Sequence, residues 1–341
     1  MKFARVDIES SEGGIAVHSI RQNALVLKKG HRIGAADIAA MREAGVAQVT
    51  VAQLEPGDIG EDDAAERLAE KCSGEHVRVE LPFTGRSNLY AATGGVLVVD
   101  QDGVDAVNDV DERLTFASLR PWQSVVEGEM IGTVKIIPYA VEQSVLDVCL
   151  ARIKSPLIRV APWRPMRIGM ISTVLPGLKP STIAKTLRVL EARLQNTGAK
   201  VVNETRTAHE AVELSKAIGE TAALTDIMII FGASAITDRR DIIPSALEQA
   251  GGEIVHFGMP VDPGNLLLLG RIDHEGRRVH VLGAPGCARS PKLNGFDWVL
   301  QRLLAGIDVS ARDIKRMGAG GLLMEIVSRG HPRERSPDDE S

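Results

Sequence analysis

Ile227, Met228, Ile229, Ile230 and Phe231 form an unbroken apolar run bounded by Asp226 and Gly232. The run has the length of a strand, and its lack of alternation means that both faces must be covered. Such a strand belongs inside a parallel sheet rather than on a half-wetted one. In open α/β sheets, ligands bind beyond the carboxyl ends of the strands. There this run gives way to Gly232, Ala233, Ser234 and Ala235, small residues that let a ligand approach backbone amides closely. Asp238 and Asp241 follow, and Ile242, Ile243, Ala246, Leu247 and Ala250 recur at helical spacing up to Gly251 and Gly252. Asp241 stands where it would cap the first turn of that helix. Taken alone, the segment also reads as an ordinary strand-to-helix loop, with Asp241 an N-cap and Asp238 a solvated acid.

The surrounding sequence shifts that balance. Arg167-Ile168-Gly169-Met170-Ile171 reads as a second buried strand, ending in Ser172 and Thr173, whose hydroxyls suit phosphate or amide contacts. Gly258-Met259-Pro260-Val261-Asp262-Pro263-Gly264-Asn265 leads into the apolar run Leu266 to Leu269, and Gly283-Ala284-Pro285-Gly286-Cys287 follows the short strand Val279 to Leu282. Each loop ends a strand or leads into one, an arrangement that can converge on one edge of a sheet.

Taken in order, RIGMISTV, IIFGASAITDRRDIIPSAL, FGMPVDPGNLLLLG and VHVLGAPG resemble the MoaB/Mog-type molybdopterin-binding domain of molybdenum cofactor biosynthesis proteins, among them the MoeA-type molybdenum insertases. Four ordered motifs are more specific than a single glycine pattern. The resemblance covers residues 165–305 and implies an α/β three-layer sandwich with a mostly parallel sheet over residues 161–310. It also implies a pterin ligand with a dithiolene and a phosphate or pyrophosphate, that is, molybdopterin or its adenylylated form. Ser172, Thr173, Gly232, Ala233 and Ser234 would then contact the ligand. Asp262, Pro263, Gly264 and Asn265, with Gly283, Pro285 and Gly286, would form pocket walls. Asp238 and Asp241 would be the catalytic acids, Asp241 orienting a Mg²⁺ or water for molybdate insertion or for handling of an adenylylated cofactor.

The departures from that pattern are informative. The family turn usually carries two adjacent glycines where this chain has Gly232-Ala233-Ser234, and the insertase Lys-Pro-Gly-Lys loop is here Asp262-Pro263-Gly264-Asn265. A nearby unscreened charge is worth on the order of 1 kcal/mol or more, so Arg239, Arg240, Lys179 or Lys185 would have to compensate for the lost cations. A further family acid has no clear counterpart in ETRTAHEAVEL, where Thr207, His209 and Glu210 stand. Two rival functions remain: a non-catalytic carrier that delivers cofactor to a partner enzyme, and a CinA-like, metal-dependent nucleotide pyrophosphatase.

Residues 1–160 read as a mixed α/β or β-rich region. A short helix over Asp37 to Ala44 ends at Gly45 and leads into a strand at Val46 to Val51. An acidic helix spans Glu61 to Lys71, Gly85-Arg86-Ser87-Asn88 reads as a polar loop, and strands are expected around Val96 to Val99 and Thr133 to Ile137. GHRIGAADIAAMREAGVAQVTV resembles the segment that lies just before the pterin-binding domain in MoeA-type proteins. Pro162 and Pro165 mark a boundary near residue 160, and the polar stretch 328–341 is expected to be disordered.

Of the 341 residues 25% are charged, and the net charge is −5, with no Lys/Arg run. That balance argues against nucleic acid as a partner. No stretch reaches the roughly 18 consecutive apolar residues of a membrane span, and the N-terminus lacks the apolar core of a signal peptide, so a cytoplasmic protein is expected. Cys72, Cys149 and Cys287 are isolated in sequence, which gives no support to a zinc site or a disulfide framework. Cys287 in a ligand loop reads as a small loop residue, His280 as a core or edge histidine, and His18 as either a pocket residue or an internal hydrogen-bonding one. Dimers and trimers both occur in the wider family, so a homo-oligomer is expected.

Overall fold

The computed structural model describes residues 1–323; the stretch 328–341 lies outside the described residues. The chain divides into two compact units, Met1–Pro162 and Trp163–Ser341.

The first unit is mixed α/β. It carries several small antiparallel sheets, the largest of them four-stranded, together with helices at Ala35–Glu43, Glu61–Cys72, Gln101–Asn108 and Gln143–Arg152. The Glu61–Cys72 helix shows how such a segment folds. Glu61, Asp62 and Asp63 fall in its first turn, where the helix dipole favours acids, and Ala64, Ala65, Leu68, Ala69 and Cys72 form one buried face. Of the GRSN segment only Gly85 lies in a turn. Arg86 to Asn88 begin the strand Arg86–Ala91, and the Arg86 guanidinium donates to Thr133 Oγ1 on the neighbouring strand at 3.2 Å. The alternation of buried Ser87, Leu89 and Ala91 had been masked by the polar residue types.

The second unit is built on one six-stranded, mostly parallel sheet. Its strands are β1 (Arg167–Val174), β2 (Lys200–Ala208), β3 (Ile227–Phe231), β4 (Glu253–Phe257), β5 (Leu268–His274) and β6 (Arg277–Ala284), in the order β2-β1-β3-β6-β5-β4. β5 pairs antiparallel with both of its neighbours, while β1, β2, β3 and β6 run parallel. The helices are α1 (Pro180–Leu194), α2 (Ala211–Leu224), α3 (Ile242–Gln249), α4 (Gly295–Leu304) and the short α5 (Ala311–Lys315).

Every residue of β3 is buried. Its side chains alternate between two cores: Ile227, Ile229 and Phe231 pack with Ile183 and Leu190 of α1 and Phe296 and Leu303 of α4. Met228 and Ile230 pack with Leu214 and Ile218 of α2 and Ile243 and Leu247 of α3. The continuous apolar run is thus the period-2 pattern of a strand with two buried faces. Burying each such side chain stabilises the fold by roughly 1.5–3 kcal/mol. Edge strand β2 behaves differently, with only alternate residues half-buried. Among the described residues no helix is long and apolar enough to cross a membrane.

Candidate functional site at the carboxyl edge of the sheet

Strand register brings the four loops together. Ser172 of β1 pairs with Phe231 of β3, Phe231 with Ala284 of β6, Gly283 with Leu268 of β5, and Leu268 with Phe257 of β4. The carboxyl ends of β1, β3, β4 and β6 and the start of antiparallel β5 therefore share one edge. The loops after Thr173, Phe231, Phe257 and Ala284 leave or enter the sheet there.

Ser172 and Thr173 point to opposite faces. Thr173, fully buried, accepts the Ala233 N–H at 2.8 Å through Oγ1 and lies 2.8 Å from His209 Nδ1. His209 Nε2 is in turn 2.8 Å from Ser234 Oγ. One polar chain, Thr173–His209–Ser234, therefore links the end of β1 to the loops after β2 and β3. Burial lowers the proton affinity of His209 below the ordinary imidazole value, opposed by the Asp241 carboxylate. A neutral ring donates from one nitrogen and accepts at the other. If Thr173 donates to Nδ1, Nε2–H donates to Ser234 and leaves the serine O–H for a ligand; the other tautomer leaves the serine oxygen as an acceptor. In the sequence His209 stands only near the position of an absent family acid; its place in this chain follows from its backbone lying one residue past the end of β2.

The Gly232-Ala233-Ser234 turn is tight. A methyl group on Gly232 would meet the Ser234 carbonyl oxygen at 2.6 Å. Ala233 is half-buried and Ser234 exposed.

Asp241 occupies the N-cap position of α3, but its side chain makes no capping bond to that helix. Its Oδ2 instead accepts the Thr237 N–H at 2.5 Å, the Asp238 N–H at 2.9 Å and the Thr237 hydroxyl at 3.1 Å. These donors hold its carboxyl below the usual range, and the carboxylate clamps the loop preceding the helix. Asp238 is gripped by Arg240, whose Nε donates at 2.6 Å, and its pKa falls to about 2. Arg240 is thereby spent on Asp238, and Arg239 and Lys185 are exposed. Among the described residues no three His, Cys, Asp or Glu side chains are grouped to hold a metal ion.

The Pro-Gly loop is partly structural. The Pro263 carbonyl accepts the Gly295 N–H at the start of α4 at 2.8 Å. Gly264 has φ +141 and lies so close that a Cβ would meet the Gly295 nitrogen at 2.8 Å. Asp262 pairs through its backbone with Gly321 and Leu323. Asn265 is exposed at the rim. Gly283 lies within β6 rather than in a loop, beneath Ile236, and Pro285 is buried. Gly286 faces open space. Burial raises the Cys287 thiol, which removes the thiolate character a reactive cysteine needs.

Arg289 carries no local signal in the sequence, being an arginine in a short loop. Its Nη2 donates to the Gly232 carbonyl at 3.0 Å, its Nη1 donates to Thr186 Oγ1 of α1 at 2.9 Å, and its guanidinium lies 5.2 Å from the centroid of the Phe231 ring. The backbone on either side is tied down by Arg193, which donates to the Ala288 and Ser290 carbonyls at 2.8 and 2.6 Å and to Asp297 at 2.5 Å.

A family described as "Domain of unknown function (DUF8806)" matches residues 5–53. No curated protein matches this chain. Among solved structures, the chain is similar to a molybdopterin biosynthesis MoeA protein from Pyrococcus horikosii at 14% identity and TM-score 0.30, over 93% of this chain and 77% of that one. It is also similar to a putative molybdenum cofactor biosynthesis protein from Corynebacterium diphtheriae (13% identity, TM-score 0.30, 42% of this chain and 99% of that one). A third is a CinA protein of unknown function from Thermoplasma acidophilum (14% identity, TM-score 0.25, 37% and 89%). Likenesses at this level carry no argument about what the chain does.

Proposed function

We propose that the Trp163–Ser341 unit binds molybdopterin, or its adenylylated form, in molybdenum cofactor biosynthesis, on a three-layer sandwich of the MoaB/Mog type. One observation carries this reading. The four segments that resemble that domain in sequence all meet at one sheet edge, where Thr173, His209 and Ser234 form a hydrogen-bonded chain facing the turn after β3. Ser234 would meet the ligand through its hydroxyl, on the Gly232-Ala233 turn that Thr173 and Arg289 hold in place, with Asn265 and Gly286 at the rim.

Asp241 keeps the 237–241 loop in shape through Oδ2, which leaves Oδ1 for a ligand. A Mg²⁺ here would take that oxygen, the rest of its shell coming from ligand phosphates and water, as is usual for this ion. The engagement of Asp238 by Arg240 favours a second reading in which the unit binds and hands on cofactor to a partner enzyme without turning it over.

Anaerobic calorimetric titration of the full-length protein with molybdopterin, beside Ser234→Ala and Asp241→Asn, tests the proposal. The expected result is saturable binding by the wild type, weakened by both substitutions. Absence of wild-type binding removes the assignment, and Mg²⁺-dependent hydrolysis of ADP-ribose would replace it with the pyrophosphatase reading.

A further inference from the structure

The face of the sheet that carries Phe231 holds two polar groups that the chain through His209 does not use. Met170 and Phe231 share one core and Ile171 belongs to the other, so Ser172, two residues after Met170, lies on the Phe231 face. Ser172 is 1% exposed, and its Oγ has no hydrogen-bond partner among the described residues. Its strand-register partner is Phe231 itself, and over the ring of Phe231 sits the Arg289 guanidinium.

Arg289 makes its two hydrogen bonds to a neutral carbonyl and a neutral hydroxyl. No carboxylate pairs with it among the described residues. The Thr186 hydroxyl donates its own hydrogen bond to the Thr182 carbonyl at 2.9 Å, which leaves its oxygen to accept from Arg289. Among the described residues its Nε–H and one hydrogen on each terminal nitrogen remain to be given. A half-buried cation with unspent donors over the Phe231 ring, and a buried, unspent hydroxyl on the residue that pairs with Phe231 across the strands, are together complementary to an anion with several acceptor oxygens.

We propose that Arg289 and Ser172 form an anion subsite on the Phe231 face, which takes a phosphate or pyrophosphate group. The subsite sits at the sheet edge of the function proposed above and rests on that reading only for the remainder of the ligand. It assigns the anionic end to the α1/α4 side and leaves the Thr173–His209–Ser234 chain, on the other face of β1, to the ligand's uncharged polar groups. The same geometry explains why the loop around Arg289 is anchored so firmly by Arg193: a guanidinium that must meet a tetrahedral anion has to be positioned before the ligand arrives.

Titration of the full-length wild-type protein with inorganic phosphate and with pyrophosphate, followed by calorimetry and by the arginine Nε–H resonances in ¹⁵N NMR, tests the subsite without requiring any variant to fold. Saturable binding of either anion with a shifted Arg289 Nε–H is expected. Arg289→Met should lose about tenfold or more in affinity, Arg289→Lys should fall between it and the wild type, and Ser172→Ala should weaken binding with an undiminished Tm. An Arg289 Nε–H that does not move at saturating anion, wild-type protein that binds neither anion, or full affinity in folded Arg289→Met overturns the proposal. Binding of pyrophosphate without binding of molybdopterin would break the cofactor assignment and leave the subsite standing.

Discussion

The two ends of the parallel sheet use similar residues to opposite effect. At the amino end, Asp226 accepts the Arg167 N–H at 2.8 Å and the Arg167 guanidinium at 2.7 and 3.2 Å, and Arg277 joins at 3.4 Å. Arg277 also donates to the carbonyls of Ala222, Ala223 and Thr225 at the end of α2. Acid, arginines and helix carbonyls satisfy one another. At the carboxyl end, Ser172 Oγ lacks a partner, Arg289 has none of opposite charge among the described residues, and Gly286 faces open space. A satisfied network stabilises, whereas unsatisfied polar groups held in place by their neighbours cost stability.

The sharpest break in this contrast comes from the support beneath the carboxyl end. Arg193 and Asp297 are both more than nine-tenths buried and bonded at 2.5 Å. Removing one partner of a buried pair costs about 3–5 kcal/mol. Arg193→Met should therefore show that loss in chemical denaturation, together with weaker pyrophosphate binding as residues 288–290 lose their anchor. Unchanged stability would mean that the loop is held by packing alone.

Thr173→Val comes next. It keeps the volume but strands the Ala233 N–H and one nitrogen of His209, a loss of about 1–3 kcal/mol, measurable as a lower denaturant midpoint. Weaker ligand binding should accompany it; a neutral result would show that water replaces the hydroxyl.

At the amino end, Asp226→Asn should cost less, about 1 kcal/mol, because the acid is partly solvated, and ligand affinity should not change. The Arg167 guanidinium, foremost, holds the folded-state pKa of Asp226 below its ordinary 3.8. The stability it adds is complete above 3.8 and drains away as pH falls through the lower folded value. The difference between wild type and variant should accordingly shrink in acid; a constant difference contradicts the assignment.

The smallest effect concerns His209. Its folded pKa is depressed below 6.5 by burial, so the unfolded chain takes up the proton first. Stability should decline as pH falls below 6.5 and level off once the folded ring also protonates. NMR titration of the ring should place its midpoint below 6.5, and a midpoint above it would mean that the Asp241 carboxylate outweighs burial.

The sequence by itself determined the central strand and the edge at which the small residues after it emerge. A five-residue apolar run with no polar break can be solvated nowhere, so Ile227–Phe231 had to be an interior strand, and the small residues after it had to emerge at the carboxyl end. The expected capping bond of Asp241 failed because the spacing that places an acid at the first turn does not say which way its carboxylate swings, and the amides of Thr237 and Asp238 were nearer. The GRSN strand was missed because burial of Ser87 depends on the neighbouring strand and not on residue type. Likewise, that Arg289 meets Gly232, Thr186 and Phe231, residues between 57 and 103 positions away, was decided only by the tertiary structure. Local periodicity encodes which face of an element avoids water, whereas the pairing of polar groups depends on distances that exist only after the strands have taken their order.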